Sequence, residues 1–420
     1  MKPNIILILA DDLGYGDLAC YGHPAGDTPH TDALAAAGMR LTDFHANGPV
    51  CSPTRAALLT GQYQQRCGIE IALGEHDRGL PRAAFTLSRL LAENGYATGL
   101  FGKWHLGMSL DEGPNAHAFG EFRGHRHGAV DYFSHVNKFG CIDWWHDEQP
   151  ASDDGYCTEL IARDCLSFVR RHADRPFFLF MSHSAIHFPW MAPEDKPHRR
   201  PGVRYDDLSK LGPHKPDDVG QVVRRMIQSL DQTVGQVVQT IADLELADNT
   251  VIIFTSDNGG IVEYAGGFQE ISSNAPLRGQ KGSLYEGGHR VPAIAVWPGR
   301  IRPGTVDQQP MATMDLLPTI AAIAGADLPP GYATDGVDLV PAWLQRQELP
   351  PRDLFWRSGD QRAARRGAWK LYRRNDATEL YRLDEDLAEA RDLSALEPQR
   401  TVSMLEALEQ WENDVNRRHP

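Results

Sequence analysis

The chain has 420 residues, a formal net charge of -14, and 41% hydrophobic residues. This composition supports a large folded core and excludes a disordered chain. The acidic balance, with no basic block or tail, excludes a general nucleic-acid binder. No apolar run is long enough to cross a bilayer, so we expect no membrane partner. Only eight of the 42 basic residues are lysines, so a lysine inside a motif is a strong functional signal.

Cysteine usage and the N-terminus bear on the cellular compartment. The six cysteines (Cys20, Cys51, Cys67, Cys141, Cys157 and Cys165) lack a paired spacing and do not suggest a disulfide framework. The first apolar run, residues 5–10, is too short for a signal peptide and has no cleavage site. We therefore expect a cytoplasmic protein as the sequence stands, or a periplasmic or secreted one if a leader has been removed.

The first predicted strand, residues 4–10, is an unbroken Ile/Leu run typical of a central parallel strand. It ends in Asp11 and Asp12, at the position where open α/β sheets bind ligands. A single aspartate here is readily explained as a turn cap or a solvated charge. The adjacent pair favours a metal site.

A helix is predicted to begin near Cys51, in the sequence Cys51-Ser52-Pro53-Thr54-Arg55 followed by Ala-Ala-Leu-Leu. Proline is favoured in the first turn, and the residues after it are strong helix formers. The free N–H groups of this helix end would make an anion site beside residue 51, with Arg55 one turn further along. Taken alone, Cys51 is a candidate nucleophile or a buried structural thiol.

Three further predicted strands also end in polar side chains. Residues 97–101, 176–181 and 250–255 are followed by Lys103, His105, His183, His187, Asp257 and Asn258. Solvated or structural roles are the simpler explanation for each alone, but the strand-end position recurs. The oxygen ligands of Asp11, Asp12, Asp257 and Asn258 suit Ca²⁺ or Mg²⁺ better than zinc. Lys281, in a glycine-rich turn, adds another cation.

Residues 111–154 lack a clear periodicity and are dense in histidine and aromatic residues. Two explanations remain open: an insertion with its own packing, or a lid that forms a wall of the substrate site. The candidate substrate-binding residues are Arg123, His125, Arg126, His127 and Trp144, and the region around His198-Arg199-Arg200 is a second candidate wall.

The remaining pattern predicts an α/β fold. Helices are expected over residues 31–38, 86–94, 157–171, 217–244 and 311–325, with further strands over 40–45 and 292–297. After residue 335 the sequence changes to four short strands and a helix over 398–415, which predicts a small antiparallel sheet with a covering helix. We therefore divide the chain into residues 1–335, the catalytic domain, and residues 336–420, a smaller C-terminal subdomain packed on it.

Five motifs, in order over residues 3–390, together resemble the type I (arylsulfatase-like) sulfatases of the alkaline phosphatase superfamily. They are residues 4–17, Cys51-Ser52-Pro53-Thr54-Arg55 with Leu59-Thr60-Gly61, residues 102–107, residues 256–260, and residues 281–288. The resemblance implies a large mixed, mostly parallel sheet sandwiched by helices. It also implies an enzyme that hydrolyses a sulfate ester, most often in this family a sulfated carbohydrate.

The resemblance further implies a maturation step and a set of roles. In this family the cysteine of Cys-x-Pro-x-Arg is converted to Cα-formylglycine by a formylglycine-generating enzyme, and the aldehyde hydrate is the nucleophile. Residue 51 would then be the nucleophile and a metal ligand. Asp11, Asp12, Asp257 and Asn258 would bind a divalent cation, Ca²⁺ in preference to Mg²⁺. Arg55 and Lys103 would contact the hydrate and the sulfate, and His105 would be the base. His187, with Lys281 beside it, would protonate the leaving group, and His183 is a weaker candidate for this role.

Two alternatives remain. The first is a phosphonate monoester or phosphodiester hydrolase on the same scaffold, which the short C-terminus disfavours. The second is a non-catalytic binder of sulfated glycans with an unmodified Cys51, which the complete set of acid, base and metal residues disfavours. The sequence does not predict which sulfate ester is cleaved, or the oligomeric state.

Overall fold

The computed structural model describes residues 2–417, in which sixteen strands and nine α-helices are assigned. The strands are β1 (Asn4–Ala10), β2 (Met39–Leu41), β3 (Phe44–His45), β4 (Ala97–Lys103), β5 (Glu121–His125), β6 (Trp145–His146), β7 (Gln149–Pro150), β8 (Phe177–Ser182), β9 (Thr250–Ser256), β10 (Ala293–Val296), β11 (Thr305–Asp307), β12 (Met311–Ala312), β13 (Asp353–Ser358), β14 (Gln361–Arg366), β15 (Trp369–Arg374) and β16 (Ala377–Arg382). The helices are α1 (Pro29–Ala37), α2 (Cys51–Thr60), α3 (Leu87–Glu93), α4 (Cys157–Arg171), α5 (Pro216–Asp243), α6 (Glu286–His289), α7 (Leu316–Ala324), α8 (Val340–Gln345) and α9 (Pro398–Val415).

The main sheet has ten strands in the order β11-β2-β10-β9-β1-β8-β4-β5-β6-β7. Strand β1 lies at its centre and pairs in parallel with both β8 and β9, as predicted from its unbroken apolar sequence. Strands β4 and β5 continue the parallel part, whereas β10 is antiparallel to β9. The predicted mixed, mostly parallel sheet is confirmed.

Two apolar cores lie on opposite faces of this sheet. Alternate side chains of β1 point to opposite faces, so Ile6 and Ile8 join the core shared with α4 and α5, while Leu7 and Leu9 join the core shared with α2 and α7. Helices therefore cover both faces, which explains why all of β1 is buried. No helix within residues 2–417 has the length and apolar character needed to cross a bilayer.

Three predicted elements differ from the structure. The strand predicted over 40–45 is two strands, β2 and β3, because the chain changes partner from β10 and β11 to β12. The helix predicted over 311–325 begins only at Leu316, since residues 311–312 pair with β3. The strand predicted over 97–101 continues to Lys103, so this lysine is the last strand residue instead of a loop residue.

The small sheet, β13-β14-β15-β16, is antiparallel and is packed by α9, as predicted. A buried charge network connects it to the main body: Lys370 Nζ of β15 lies 2.9 Å from Glu286 Oε1 and 2.9 Å from Glu389 Oε1. Arg365 Nη2 of β14 donates to Asp43 Oδ2 at 2.8 Å. Lys370, Glu286 and Glu389 are all buried, and Arg290 Nη1 also lies 3.2 Å from Glu286 Oε2, so the buried charges compensate one another. The domain boundary at residue 335 stays a prediction.

Candidate active site

The polar residues that follow β1, β4, β8 and β9 meet at one edge of the main sheet. Because these strands are parallel neighbours, their carboxyl ends lie side by side. Helix α2 begins at this edge with Cys51 as its first residue, as predicted, and Pro53 lies in its first turn. Cys51 is buried.

Two buried ion pairs flank the Cys51 thiol. Lys103 Nζ lies 2.6 Å from Asp11 Oδ2, and Lys281 Nζ lies 2.6 Å from Asp12 Oδ1. Cys51 Sγ lies 3.5 Å from Asp11 Oδ1 and 3.7 Å from Lys281 Nζ. The structure thus brings residue 51 within reach of two ammonium groups and two carboxylates, which is a suitable environment for a small oxyanion and a cation.

Arg55 connects α2 to two strand ends. Its Nε and Nη2 both donate to Asp257 Oδ2, at 3.0 and 2.8 Å, and its Nη1 donates to Ser182 Oγ at 2.7 Å. Ser182 in turn donates to the carbonyl oxygen of Lys103 at 2.6 Å. Sequence analysis missed Ser182, although a single hydroxyl at the end of an apolar strand is a signal that could have identified it. Arg55 therefore orients Asp257 as well as adding positive charge to the site.

The electrostatics of the site do not favour a thiolate. Burial raises the pKa of the Cys51 thiol to about 12, although Lys103 and Lys281 act in the opposite direction. An unmodified Cys51 is therefore protonated at neutral pH and is a weak nucleophile. Burial also raises the pKa of Asp11 to about 8, against the effect of Lys103. Another positive charge beside Asp11 would favour its ionised form.

The donor set fits a divalent cation. Ligand atoms of Asp11, Asp12, Cys51 and His187 lie within 4.8 Å of one another. Asp12 Oδ2 and Asn258 Oδ1 are buried and have no hydrogen-bond partner among the described residues, so each offers an unused oxygen. Asp12 also has a positive φ of 63°, which is an uncommon conformation for a non-glycine residue. Unpaired buried carboxylate and amide oxygens are costly unless a cation or water binds them.

Asp257 has a different environment from the other predicted carboxylate ligands, Asp11 and Asp12. Burial raises the pKa of this carboxyl, but Arg55, Lys103 and Lys281 together outweigh burial and hold the pKa below its ordinary value. Its Oδ2 accepts from Arg55, and its Oδ1 accepts the main-chain N–H of Asp12 at 3.3 Å. Asp257 is thus an ionised carboxylate held between the arginine and the metal cluster.

Two histidines face this cluster. His187 Nε2 lies 3.8 Å from Asp12 Oδ2, and its Nδ1 lies 2.6 Å from the Phe188 carbonyl oxygen. His105 Nε2 lies 3.0 Å from the Leu73 carbonyl oxygen, while its Nδ1 is buried without a partner among the described residues. Burial lowers the pKa of both imidazoles well below the ordinary value, and neighbouring lysines add to the effect. Both rings are therefore neutral at neutral pH.

His183 and His125 have protein partners instead. His183 Nε2 lies 3.1 Å from Thr233 Oγ1 on α5. This contact directs His183 to α5 and not to the leaving group, for which it was the weaker candidate. His125 Nε2 lies 2.6 Å from Ser184 Oγ, and its Nδ1 lies 2.7 Å from the His127 carbonyl oxygen. His125 therefore supports the strand ends.

Arg123, Arg126 and Trp144, which were predicted to bind substrate, have partners within the protein. Arg123 Nη1 lies 3.8 Å from Asp164 on α4, and the Arg126 guanidinium lies 4.0 Å from the centre of the Trp145 ring. Trp144 is buried, stacks on a histidine ring and donates to an aspartate of the same insertion. These contacts favour the packing explanation of the 111–154 segment, and the substrate-binding role of the three residues stays a prediction. His127 differs, since its ring lies 6.0 Å from that of His105 and its buried Nε2 has no partner among the described residues.

Comparison with known proteins gives a consistent result. The Sulfatase family model matches residues 3–326. The chain belongs to the sulfatase family. It is 36% identical to human arylsulfatase A over 396 residues, covering 84% of this chain and 70% of that protein. It is also 36% identical to N-acetylgalactosamine-6-sulfatase of Sus scrofa over 394 residues, covering 88% and 71%.

A crystal structure of Ps i-CgsB in complex with k-i-k-neocarrahexaose superposes with a TM-score of 0.87. It is 30% identical in sequence, and the match covers 100% of this chain and 94% of that chain. The sulfatase is therefore a sulfuric ester hydrolase, as predicted. Sulfatases generally use a formylglycine and a divalent metal ion, and the acidic cluster around Asp11 and Asp12 is a possible metal site.

Proposed function

We propose that this sulfatase hydrolyses a sulfate ester of a sulfated carbohydrate, with Cys51 converted to Cα-formylglycine and Ca²⁺ bound in the carboxylate cluster. The observation that carries the proposal is the position of Cys51, at the start of α2 between the Lys103–Asp11 and Lys281–Asp12 pairs. The carbohydrate class is supported by the similarity to N-acetylgalactosamine-6-sulfatase and to the complex of Ps i-CgsB with an oligosaccharide.

Conversion of Cys51 accounts for a residue that is otherwise poorly suited to its site. The buried thiol is protonated, and the oxygen donors around it suit a hard cation that prefers oxygen to sulfur. Formylglycine as its hydrate would supply two geminal hydroxyls, one to attack the sulfate sulfur and one to expel sulfate afterwards. The Cys51-Ser52-Pro53-Thr54-Arg55 sequence would be the substrate of a formylglycine-generating enzyme, which we propose as a maturation partner.

Asp11, Asp12, Asp257, Asn258 and residue 51 would hold the cation, which would neutralise charge on the sulfate oxygens. The chain's own cations would complete the anion site. The ammonium groups of Lys103 and Lys281 would bind sulfate oxygens, together with the free N–H groups at the start of α2. Because the site is buried, these charges act in a low-dielectric environment and stabilise developing negative charge strongly.

The hydrogen bonds of the two histidines assign their reactive atoms. A carbonyl oxygen can only accept, so the contact with Leu73 places a proton on His105 Nε2 and leaves Nδ1 as the basic atom. That neutral Nδ1 would accept a proton from the hydroxyl of residue 51 during release of sulfate. His187 is held in the same way through Nδ1, so its Nε2 is the atom that would carry a proton to the leaving alkoxide. The negative charge of a bound sulfate ester would favour protonation of His187.

Mass spectrometry of the Cys51 peptide and substrate turnover test this function together. The enzyme is produced with and without a formylglycine-generating enzyme and assayed with sulfate, phosphate and phosphonate esters in the presence of Ca²⁺. We expect turnover of sulfate esters in proportion to the converted fraction and none for Cys51→Ala. The matched control is Cys141→Ala, since Cys141 is exposed and should have wild-type turnover. Full activity with an unconverted thiol, or faster turnover of phosphonate than of every sulfate ester, would contradict the proposal.

A further inference from the structure

Two lysines from separate loops lie near the active site and have no carboxylate partner within the part of the chain that the structure describes. Lys138 belongs to the 111–154 insertion and Lys210 to the loop before α5, and both are half-buried. Neither forms an ion pair with any described side chain, unlike Lys103, Lys281 and Lys370. In a protein with a net charge of -14, two unpaired, partly desolvated ammonium groups in one place are an unusual arrangement.

Aromatic rings connect these cations to the two active-site histidines. The Phe188 ring lies 4.2 Å from that of His187, and Lys210 Nζ lies 5.6 Å from the centre of the Phe188 ring. On the other side, the Phe139 ring lies 5.1 Å from that of His127, which neighbours His105. Lys138 is thus two rings away from His105, and Lys210 is one ring away from His187.

Phe139 carries two cations, since Lys138 Nζ and the Arg204 guanidinium each lie 5.0 Å from its centre. Arg204 is exposed, and its nearest carboxylate, Glu75, is 3.9 Å away. Lys210 also lies 5.7 Å from the centre of the Tyr264 ring. Cations packed on aromatic rings therefore lie within two rings of both active-site histidines.

The two loops are fastened together, so the cations are held in place. The buried Arg199 donates from Nη2 to the Lys210 carbonyl oxygen at 2.6 Å and from Nη1 to the Val136 carbonyl oxygen at 3.4 Å. The main-chain N–H of Tyr205 donates to the Lys138 carbonyl oxygen at 2.7 Å. A pre-organised pair of like charges costs free energy in the unbound protein, and binding of an anion would recover that cost.

The charges that act on Lys138 agree with this geometry. Burial lowers the pKa of Lys138, and so do the positive charges of Lys210, Arg199 and Arg204, whereas the exposed Asp206 raises it. Lys138 therefore lies in a positive environment. The buried, unpartnered Nε2 of His127 adds a polar group to the same region. His127 is also influenced by Lys138, which lowers its pKa after the larger effect of burial.

We propose that Lys138 and Lys210, with Arg204 at the rim, form a subsite for a second anionic group on the leaving-group sugar. The inference rests on the proposed function, because it places the hydrolysed sulfate at residue 51 and the rest of the sugar between His187 and His127. The preferred substrate is then a saccharide with at least two negative charges, the second being a sulfate or a carboxylate. A simple aryl sulfate would leave this subsite unused.

The turnover test compares substrates that differ only in the second charge. For the converted, Ca²⁺-loaded enzyme, kcat/KM is measured with a monosulfated disaccharide, its disulfated form, and a form that carries one sulfate and one carboxylate. The measured quantity is the ratio of kcat/KM for the doubly charged to the singly charged substrate. We expect this ratio to fall roughly tenfold in Lys138→Gln and in Lys210→Gln, because each loses one charge-assisted contact. Lys138→Arg should retain the ratio.

The matched control is Lys215→Gln, which removes the charge of an exposed lysine at the start of α5 and should leave the ratio unchanged. If Lys138→Gln and Lys210→Gln lower the ratio only for the disulfated substrate, the subsite accepts sulfate. If they lower it only for the carboxylated substrate, the subsite accepts carboxylate. The proposal would be overturned if the wild-type enzyme has a ratio near one. It would also be overturned if Lys138→Gln and Lys210→Gln have the same ratio as Lys138→Arg and Lys215→Gln.

A binding measurement separates failure of this inference from failure of the proposed function. Calorimetry with Cys51→Ala, which has no nucleophile at residue 51, reports affinity for the same disaccharides without any chemical step. We expect the disulfated form to bind more tightly than the monosulfated form, and this difference to disappear in Cys51→Ala combined with Lys138→Gln and Lys210→Gln. If the converted enzyme hydrolyses no sulfate ester, the proposed function fails, while the affinity difference still decides whether the anionic subsite exists.

Discussion

Gly128 has no room for a side chain beside the His105 ring, which makes the position of this ring testable without altering the histidine. A methyl group on Gly128 would lie 2.5 Å from Cε1 and 2.6 Å from Nε2 of His105. An ordinary carbon contact is about 3.5 Å, so the ring or the Gly128 backbone would have to move by about 1 Å. The ring has little freedom to do so, because it is buried and its Nε2 is held by the Leu73 carbonyl oxygen at 3.0 Å.

Gly128→Ala should therefore strongly lower kcat, while it lowers the free energy of unfolding only moderately. Misplacement of a reacting group by about 1 Å costs on the order of 100-fold in rate, and overpacking a buried site costs about 1–3 kcal/mol in free energy of unfolding. Since His105 is the proposed base for release of sulfate, the variant should also accumulate enzyme that is sulfated at residue 51.

The assay is kcat for an aryl sulfate together with mass spectrometry of the enzyme during turnover. Gly120→Ala is the control, because a methyl group there would meet only Thr98, at 3.4 Å from its carbonyl oxygen, which is an ordinary contact. The control should retain wild-type kcat. If Gly128→Ala is as active as Gly120→Ala while His105→Ala is inactive, the reasoning about the fixed ring is wrong.

Three further predictions concern stability and the metal. Lys370→Met should lower the free energy of unfolding by about 3–5 kcal/mol in urea titrations, because it leaves the buried Glu389 without an ion-pair partner among the described residues and removes one of the cations around Glu286; an unchanged midpoint would refute this. Burial raises the pKa of Asp43, but two arginines outweigh burial and lower the pKa from 3.8 to about 2. This carboxyl therefore stabilises the fold above about pH 4, and its contribution of about 2 kcal/mol is lost as the pH falls toward 2. Asp43→Asn should accordingly show a flatter dependence of unfolding free energy on pH over that range, and an equal slope would contradict the assignment. Removal of Ca²⁺ by a chelator should lower the melting temperature and abolish turnover. Ca²⁺ added back at a hundredfold excess over its Kd should raise the free energy of unfolding by about 2.7 kcal/mol. Asp12→Asn should melt at the same temperature with and without Ca²⁺.

Much of the fold was predictable because its signals are local. The unbroken apolar sequence of β1 indicates a strand buried on both faces, and the structure places it at the centre of the ten-stranded sheet. The bounds of α4 and α9 were predicted to the residue, since each has a clear helical periodicity over fifteen residues or more. Where non-local pairing decides, prediction failed: Met311 and Ala312 have helix-compatible sequence but pair with β3.

The sequence by itself determined which residue types stand at the ends of the central strands, and therefore that carboxylates, lysines and histidines share one edge of the sheet. Only the tertiary structure decided which of them face residue 51. His183 and His187 both follow β8, yet one is directed to α5 and the other to Asp12. Lys138 and Lys210 come from distant positions, and their loops are joined through Arg199 and through the main-chain N–H of Tyr205. Strand order determines at which edge of the sheet a residue lies. The direction of its side chain depends on packing against the covering helices and loops, and that packing is made by residues far apart in the chain.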